Sequence, residues 1–149
     1  VSLLYTMFQS HMNIHSYTGQ PYDQHELGHS YLGTDVFSVV PDWHVDKFGY
    51  LVAKLRDTPE GAGTVLDNCA MVLLFEAGHG YDPATGDTTR THSTENMAAC
   101  TAGGAGGLHQ GEHIVADGMH PVNVLNTAML AVGVNQDLGE VNGTIPGLI

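Results

Sequence analysis

The segment around His25 contains residue types and a spacing that suit metal chemistry. His25, Glu26 and His29 form an H-E-x-x-H pattern within the sequence HELGH. Histidines four residues apart share one face of a helix, and the glutamate beside them can act as a general base on a metal-bound water. The pattern predicts a divalent-metal site with His25 and His29 as ligands and Glu26 as the catalytic residue. Zinc is the favoured metal, with manganese, iron or calcium as alternatives.

A zinc peptidase is one hypothesis for this pattern, with Asp35 as the third metal ligand. Three features argue against it. Leu32 stands where a metzincin has glycine, and Gly33 comes one place late. Pro21 and Gly28 limit the helix that would carry the motif. No sheet edge that could hold a peptide substrate is evident before the motif.

A second group of candidate ligands follows an apolar run. Glu76 comes directly after the run 70–75, and His92 lies in the polar segment beyond it. A carboxylate at the end of a strand, followed by a histidine-bearing loop, can complete a metal site begun elsewhere. We therefore predict Glu76 and His92 as further metal ligands, meeting His25 and His29 at one rim of a sheet. In the alternative interpretation Glu76 caps a helix and the histidine is merely solvated.

Composition limits the partners of the chain. The 149 residues are 42% hydrophobic, and 4 Lys+Arg stand against 16 Asp+Glu, which gives a formal charge of −12. Without a basic patch, binding to nucleic acid is not expected. No apolar run approaches the roughly 18 residues that a membrane span requires. The acidity favours an extracytoplasmic protein, periplasmic or secreted, and the abrupt apolar start predicts a mature or excised N-terminus.

Two further features have structural interpretations. Cys69 and Cys100 lie at apolar runs, which predicts two buried thiols and leaves a disulfide between them open. The glycine run 103–107 lacks the Lys-Ser/Thr of a phosphate-binding loop. It predicts close packing of the backbone instead.

The helices expected to support the site follow two prolines. A helix should begin at Pro41 and end before Thr58-Pro59, with a stripe formed by Phe48, Leu51, Val52 and Leu55 facing the core. A second should begin near Pro121 and end at Gly133. Leu125, Met129 and Val132 lie on one face of this predicted helix.

The strands are predicted from short apolar runs. Residues 70–75 suit a strand buried on both faces, 97–101 a second and 113–116 a third, whereas 77–91 are expected to form a loop. The fold class is therefore α/β, with a largely parallel sheet flanked by helices. We expect a single domain or part of a larger one, with a His-rich loop region at 1–35 and an α/β core at 36–149.

The order of several motifs gives a family resemblance. His25–His29 is followed by Trp43–Leu51, His92–Met97 and Gly111–Ile114. In this order they resemble the C-terminal part of a bacterial family, the domain of unknown function 1552, which is similar to the alkaline phosphatase and sulfatase superfamily.

The resemblance implies a fold and a chemistry. It implies the C-terminal half of an alkaline-phosphatase-like domain, with metals at the C-terminal ends of a parallel sheet and Glu76 at a metal-binding position. The implied activity is hydrolysis of a small phosphate or sulfate ester. The superfamily's nucleophile lies in the N-terminal half, so the resemblance also implies a remnant, or a fold completed by another protein chain. A zinc peptidase acting on peptides and a non-catalytic structural or assembly subunit stay as alternatives.

Overall fold

The computed structural model describes residues 10–28, 38–75 and 97–149. For the strands at 78–82 and 87–93 it describes the backbone alone. The chain divides into two compact units. Unit 1 contains Val1–Lys47 and Glu76–Asn96, and unit 2 contains Phe48–Phe75 and Met97–Ile149. The division predicted from the sequence at residue 35 stays a prediction.

Along the described chain three α-helices come first, six short strands follow, and a fourth α-helix comes last. The α-helices are α1 (His15–Thr18), α2 (Gln24–Gly28), α3 (Val39–Arg56) and α4 (Val122–Ala131). The strands are β1 (Pro59–Glu60), β2 (Gly63–Thr64), β3 (Met71–Leu74), β4 (Gly78–Asp82), β5 (Asp87–Ser93) and β6 (Ala99–Ala102). Two short 3₁₀ helices in the described part of the chain cover Val65–Asn68 and Ala105–Gly107.

The predicted parallel sheet is wrong. The described strands form three separate antiparallel pairs, β1 with β2, β3 with β6, and β4 with β5. The apolar run around β3 suggested a strand buried on both faces, but Leu73 is the buried residue and its neighbours in the strand are half-buried. A short apolar run indicates a strand, but it does not determine which strand pairs with it or in which direction. The parallel pairing was predicted wrongly for this reason.

Two other strand predictions are also wrong. The segment expected to be a loop, 77–91, contains most of the β4–β5 hairpin, whose register shifts twice between Gly78 and Asp82. Its glycine and threonine content hides the alternation that identifies a strand. The third predicted strand, 113–116, has no regular secondary structure. Ile114 and Ala116 instead pack as partly buried side chains against the core of unit 2.

Helix α3 confirms the first helix prediction. It begins at Val39, two residues before Pro41, which lies in the first turn where its missing N–H costs no hydrogen bond. Phe48 is buried, and the other three residues of the predicted stripe are half-buried. The helix ends at Arg56, where the Thr58 hydroxyl donates to the Lys54 carbonyl at 2.7 Å.

Helix α4 has the predicted limits, and three of its five buried residues are polar. It ends with a Schellman motif, in which Gly133 has a φ of 83° and donates to Leu130 O at 2.9 Å. Of the apolar residues that share one face, Leu125 and Met129 are half-buried and Val132 is 50% exposed. The buried face consists of Asn123, Asn126, Thr127, Ala128 and Ala131.

Polar side chains of α4 hold the C-terminal segment. Asn123 Nδ2 donates to the carbonyls of residues 142 and 143 at 2.7 and 2.8 Å. Asn126 donates to Val141 O at 2.9 Å and accepts from Leu138 N at 3.0 Å, and Thr127 Oγ1 accepts from Ile145 N at 2.8 Å. Buried polar groups need such partners, and here those partners fix the path of the segment. Ile145 then joins a small apolar core with Leu108, Ala131 and Leu148.

The glycine run packs closely, as predicted. A Cβ on Gly103 would overlap the Cys69 carbonyl, and one on Gly106 would lie 2.6 Å from Ala131 Cα. Both cysteines are half-buried free thiols. Cys100 lies opposite Leu73 in the β3–β6 register, and Leu73 is four residues from Cys69 along the chain. The two thiols are not joined, so the disulfide alternative is wrong.

Candidate metal centre

The backbone of unit 1 brings two distant polar segments together. Gln24 N donates to Met12 O at 3.1 Å, and His25 N donates to Ser10 O at 2.9 Å. Between them, Asn13 and Asp23 form an isolated antiparallel bridge. This pairing anchors the start of α2 against the segment that precedes α1, and it places His11 beside the HELGH segment.

Asp23 organises this corner of unit 1 through both oxygens of its carboxylate. Oδ1 accepts the backbone N–H of Glu26 at 2.9 Å and thereby caps the first turn of α2. Oδ2 lies 2.7 Å from Nδ1 of His11. The hydrogen bond from Glu26, followed by the one to His11, lowers the pKa of the Asp23 carboxyl, so this group is ionised at neutral pH.

The HELGH segment begins beside this carboxylate. His25 and Glu26 are half-buried residues of α2, whose inner side is anchored by the fully buried Leu27. The rings of His11 and His25 lie edge to face, with centroids 5.9 Å apart and an interplanar angle of 60°. Two imidazoles and an ionised carboxylate therefore occupy one corner of unit 1.

The residues predicted from the sequence differ in how far the structure describes them. His25 and Glu26 lie on α2 as predicted for a helical motif. His92 belongs to β5, where the backbone alone is described. His29 and Glu76, together with Asp35 of the peptidase hypothesis, lie outside the described residues. Their roles as ligands stay predictions.

The donor types in this corner suit zinc, which takes imidazole nitrogen and carboxylate oxygen. Within the residues whose side chains are described, no three His, Cys, Asp or Glu groups converge closely enough to hold one ion. Nearby, the amide nitrogen of Gln24 is buried and has no hydrogen-bond partner in the described part of the chain. That nitrogen is a donor, so it suits a ligand oxygen rather than a cation.

His11 and Asp23 were not among the site residues predicted from the sequence. They are twelve residues apart and match no familiar metal motif. One signal was present, because His11 and His15 repeat the spacing of His25 and His29. His15 is exposed, and its Nδ1 lies 2.8 Å from the Gln20 carbonyl.

Comparisons with known proteins do not identify this candidate metal centre. No protein-family model matches the chain, and neither a curated protein nor a solved structure matches it. The family resemblance and the extracytoplasmic location therefore stay predictions. Among the described helices, none combines the length and the hydropathy needed to cross a bilayer.

Proposed function

We propose that this chain binds a divalent transition metal, with zinc the first candidate, and that His25 and His29 supply ligands. The observation that carries the proposal is the grouping of His11, Asp23 and His25 at the start of the HELGH segment. Its support is chemical, because imidazoles clustered with an ionised carboxylate are the donor types of zinc sites.

The activity that we propose for this site is hydrolysis of a small phosphate or sulfate ester. A bound zinc ion supplies a Lewis acid and lowers the pKa of a coordinated water. Glu26 adjoins His25 in α2, and its carboxylate is the group of this segment suited to accept a proton. The same groups would serve a peptidase, so the two activities have to be separated by substrate.

Metal binding can be tested before any activity. The full chain is dialysed against zinc and its metal content is measured for the wild type, His25→Ala, His29→Ala and the control His109→Ala. His109 is an exposed histidine of unit 2. We expect one zinc per chain in the wild type and the control, and loss of zinc from the other two variants. A wild-type chain without zinc, or equal zinc in all four proteins, would overturn the proposal.

Activity is tested with the zinc-loaded chain and its Glu26→Gln variant. Chromogenic phosphate and sulfate esters and an unstructured protein substrate are offered separately. Ester hydrolysis that Glu26→Gln abolishes while zinc is retained supports the proposed activity. Proteolysis lost in the same variant favours the peptidase instead. Zinc binding without either activity would favour a structural or assembly role.

A further inference from the structure

His11 is held in a defined orientation by its neighbour. The Asp23 carboxylate has no proton to donate, so at 2.7 Å from His11 Nδ1 it must accept the ring N–H. This contact favours the neutral tautomer that carries its proton on Nδ1 and its lone pair on Nε2. The His11 side chain is 70% exposed, whereas that of Asp23 is 22% exposed. The anchored nitrogen therefore faces the protein, and the ring remains accessible from solvent.

This arrangement matches the way that proteins prepare a histidine for metal binding. A metal-bound imidazole usually donates its other ring N–H to a carboxylate or a backbone carbonyl, which sets the tautomer and orientation and raises its basicity. In a surface pair of this kind the stabilisation of the fold is small. The pair can therefore serve to orient the His11 ring, even though it contributes little to stability.

The distance between the rings of His11 and His25 also suits a shared zinc ion. Zinc–nitrogen bonds of about 2.0–2.1 Å place the centroids of two imidazoles on one tetrahedral zinc about 5 Å apart. The centroids of His11 and His25 are 5.9 Å apart. The observed separation is therefore about 1 Å longer than a shared zinc ion requires.

We propose that His11 is a ligand of the same divalent metal as His25, bound through Nε2, and that Asp23 is a positioning residue that orients His11. This inference rests on the proposed metal binding and names a ligand outside the HELGH motif. It is independent of which substrate the loaded protein acts on.

The test is a zinc titration of the full chain in competition with a chromophoric chelator. His11→Ala should weaken zinc binding at least as much as the loss of an orienting partner does, on the order of 100-fold. Asp23→Asn should weaken it about 10- to 100-fold while keeping an acceptor for the Glu26 N–H, since asparagine also caps helices. The matched control is His15→Ala, an exposed histidine of the same unit whose ring N–H goes to the Gln20 carbonyl. It should bind zinc like the wild type.

A spectroscopic measurement separates positioning from a structural effect. Nitrogen-15 shifts of the neutral His11 ring should report the proton on Nδ1 in the wild type, and a mixture of tautomers in Asp23→Asn. On adding zinc, the Nε2 resonance of His11 should shift most.

The outcomes show separately whether His11 is a ligand and whether the chain binds zinc at all. If the wild type binds zinc and His25→Ala abolishes binding while His11→Ala leaves it unchanged, His11 is not a ligand and only this inference fails. Equal losses in His11→Ala and His15→Ala would also overturn it. If the wild type binds no zinc, the proposed function itself fails. An unchanged tautomer and zinc affinity in Asp23→Asn would remove the positioning role.

Discussion

The Nδ1 atom of His11 and the Oδ2 atom of Asp23 lie 2.7 Å apart, and this contact joins the chain before α1 to the start of α2. Because the histidine side chain is 70% exposed, the pair should stabilise the fold weakly. We predict that His11→Ala changes the free energy of unfolding by less than about 1 kcal/mol in metal-free protein, measured by urea denaturation. A much larger loss would assign the pair to stability rather than to ligand orientation.

The 3₁₀ helix at Val65–Asn68 should make stability depend on pH. Asp67 Oδ2 accepts the Thr64 backbone N–H at 2.7 Å and the Thr64 hydroxyl at 2.9 Å, and these bonds lower the pKa of its carboxyl. A lowered pKa in the folded state means that the folded chain binds fewer protons than the unfolded chain. The contribution is therefore complete above the ordinary aspartate pKa of about 3.9 and is lost as pH falls through the lowered value.

A carboxyl NMR titration should show this lowered pKa directly. Denaturation at several pH values should show that Asp67→Asn loses less stability on acidification than the wild type. Parallel pH profiles for the two proteins would contradict the prediction.

Gly106 lies so close to α4 that one added methyl group should strongly reduce the stability of unit 2. Gly106 has a φ of 59°, and an added Cβ would lie 2.6 Å from Ala131 Cα. Gly106→Ala should destabilise unit 2 by about 3 kcal/mol or more, because strain and overlap add. The matched control is Gly107→Ala, at a φ of 82° with open space around it, which should cost about 1–2 kcal/mol. Similar thermal unfolding of the two variants would show that the packing is looser than described.

The polar face of α4 predicts that removing one donor loosens the C-terminal segment. Asn126 Nδ2 donates to Val141 O at 2.9 Å and to Gly143 O at 3.2 Å, and Asp137 Oδ1 lies 3.4 Å away. Asn126→Asp keeps the shape but replaces the donor with a buried charge beside another carboxylate. We expect a loss of about 2–4 kcal/mol, measured by denaturation at neutral pH.

The control for that change is Asn135→Asp at an exposed position. It adds the same charge and should alter stability by less than about 0.5 kcal/mol. Amide hydrogen exchange should also accelerate at Leu138 and Gly143 in Asn126→Asp but not in the control. Equal effects of the two variants would mean that net charge, not the lost donor, causes the destabilisation.

Local sequence signals predicted the helices well and the sheets poorly. Proline and glycine marked the limits of α3 and α4 because they act on the backbone of their own turn. The direction of strand pairing depends on distant residues, and the run containing Leu73 fits either direction. The buried face of α4 could not be predicted from hydrophobicity, because Asn123, Asn126 and Thr127 are buried through hydrogen bonds to a later segment.

The candidate site was predicted in part for the same reason. His25 and Glu26 were found because their spacing is a local pattern. His11 and Asp23 come together through backbone pairing between residues 10–14 and 22–25, which leaves no motif in the sequence. A histidine twelve residues before an acidic helix-capping residue becomes meaningful only when the path of the chain is known.

The most direct test of a shared metal site is anomalous scattering at the zinc edge, using crystals of the full chain grown with one equivalent of zinc. We predict that the strongest anomalous peak lies about 2.0–2.1 Å from ring nitrogens of both His11 and His25. A strongest peak bound by other residues, with neither of these two imidazoles in contact with it, would contradict the account.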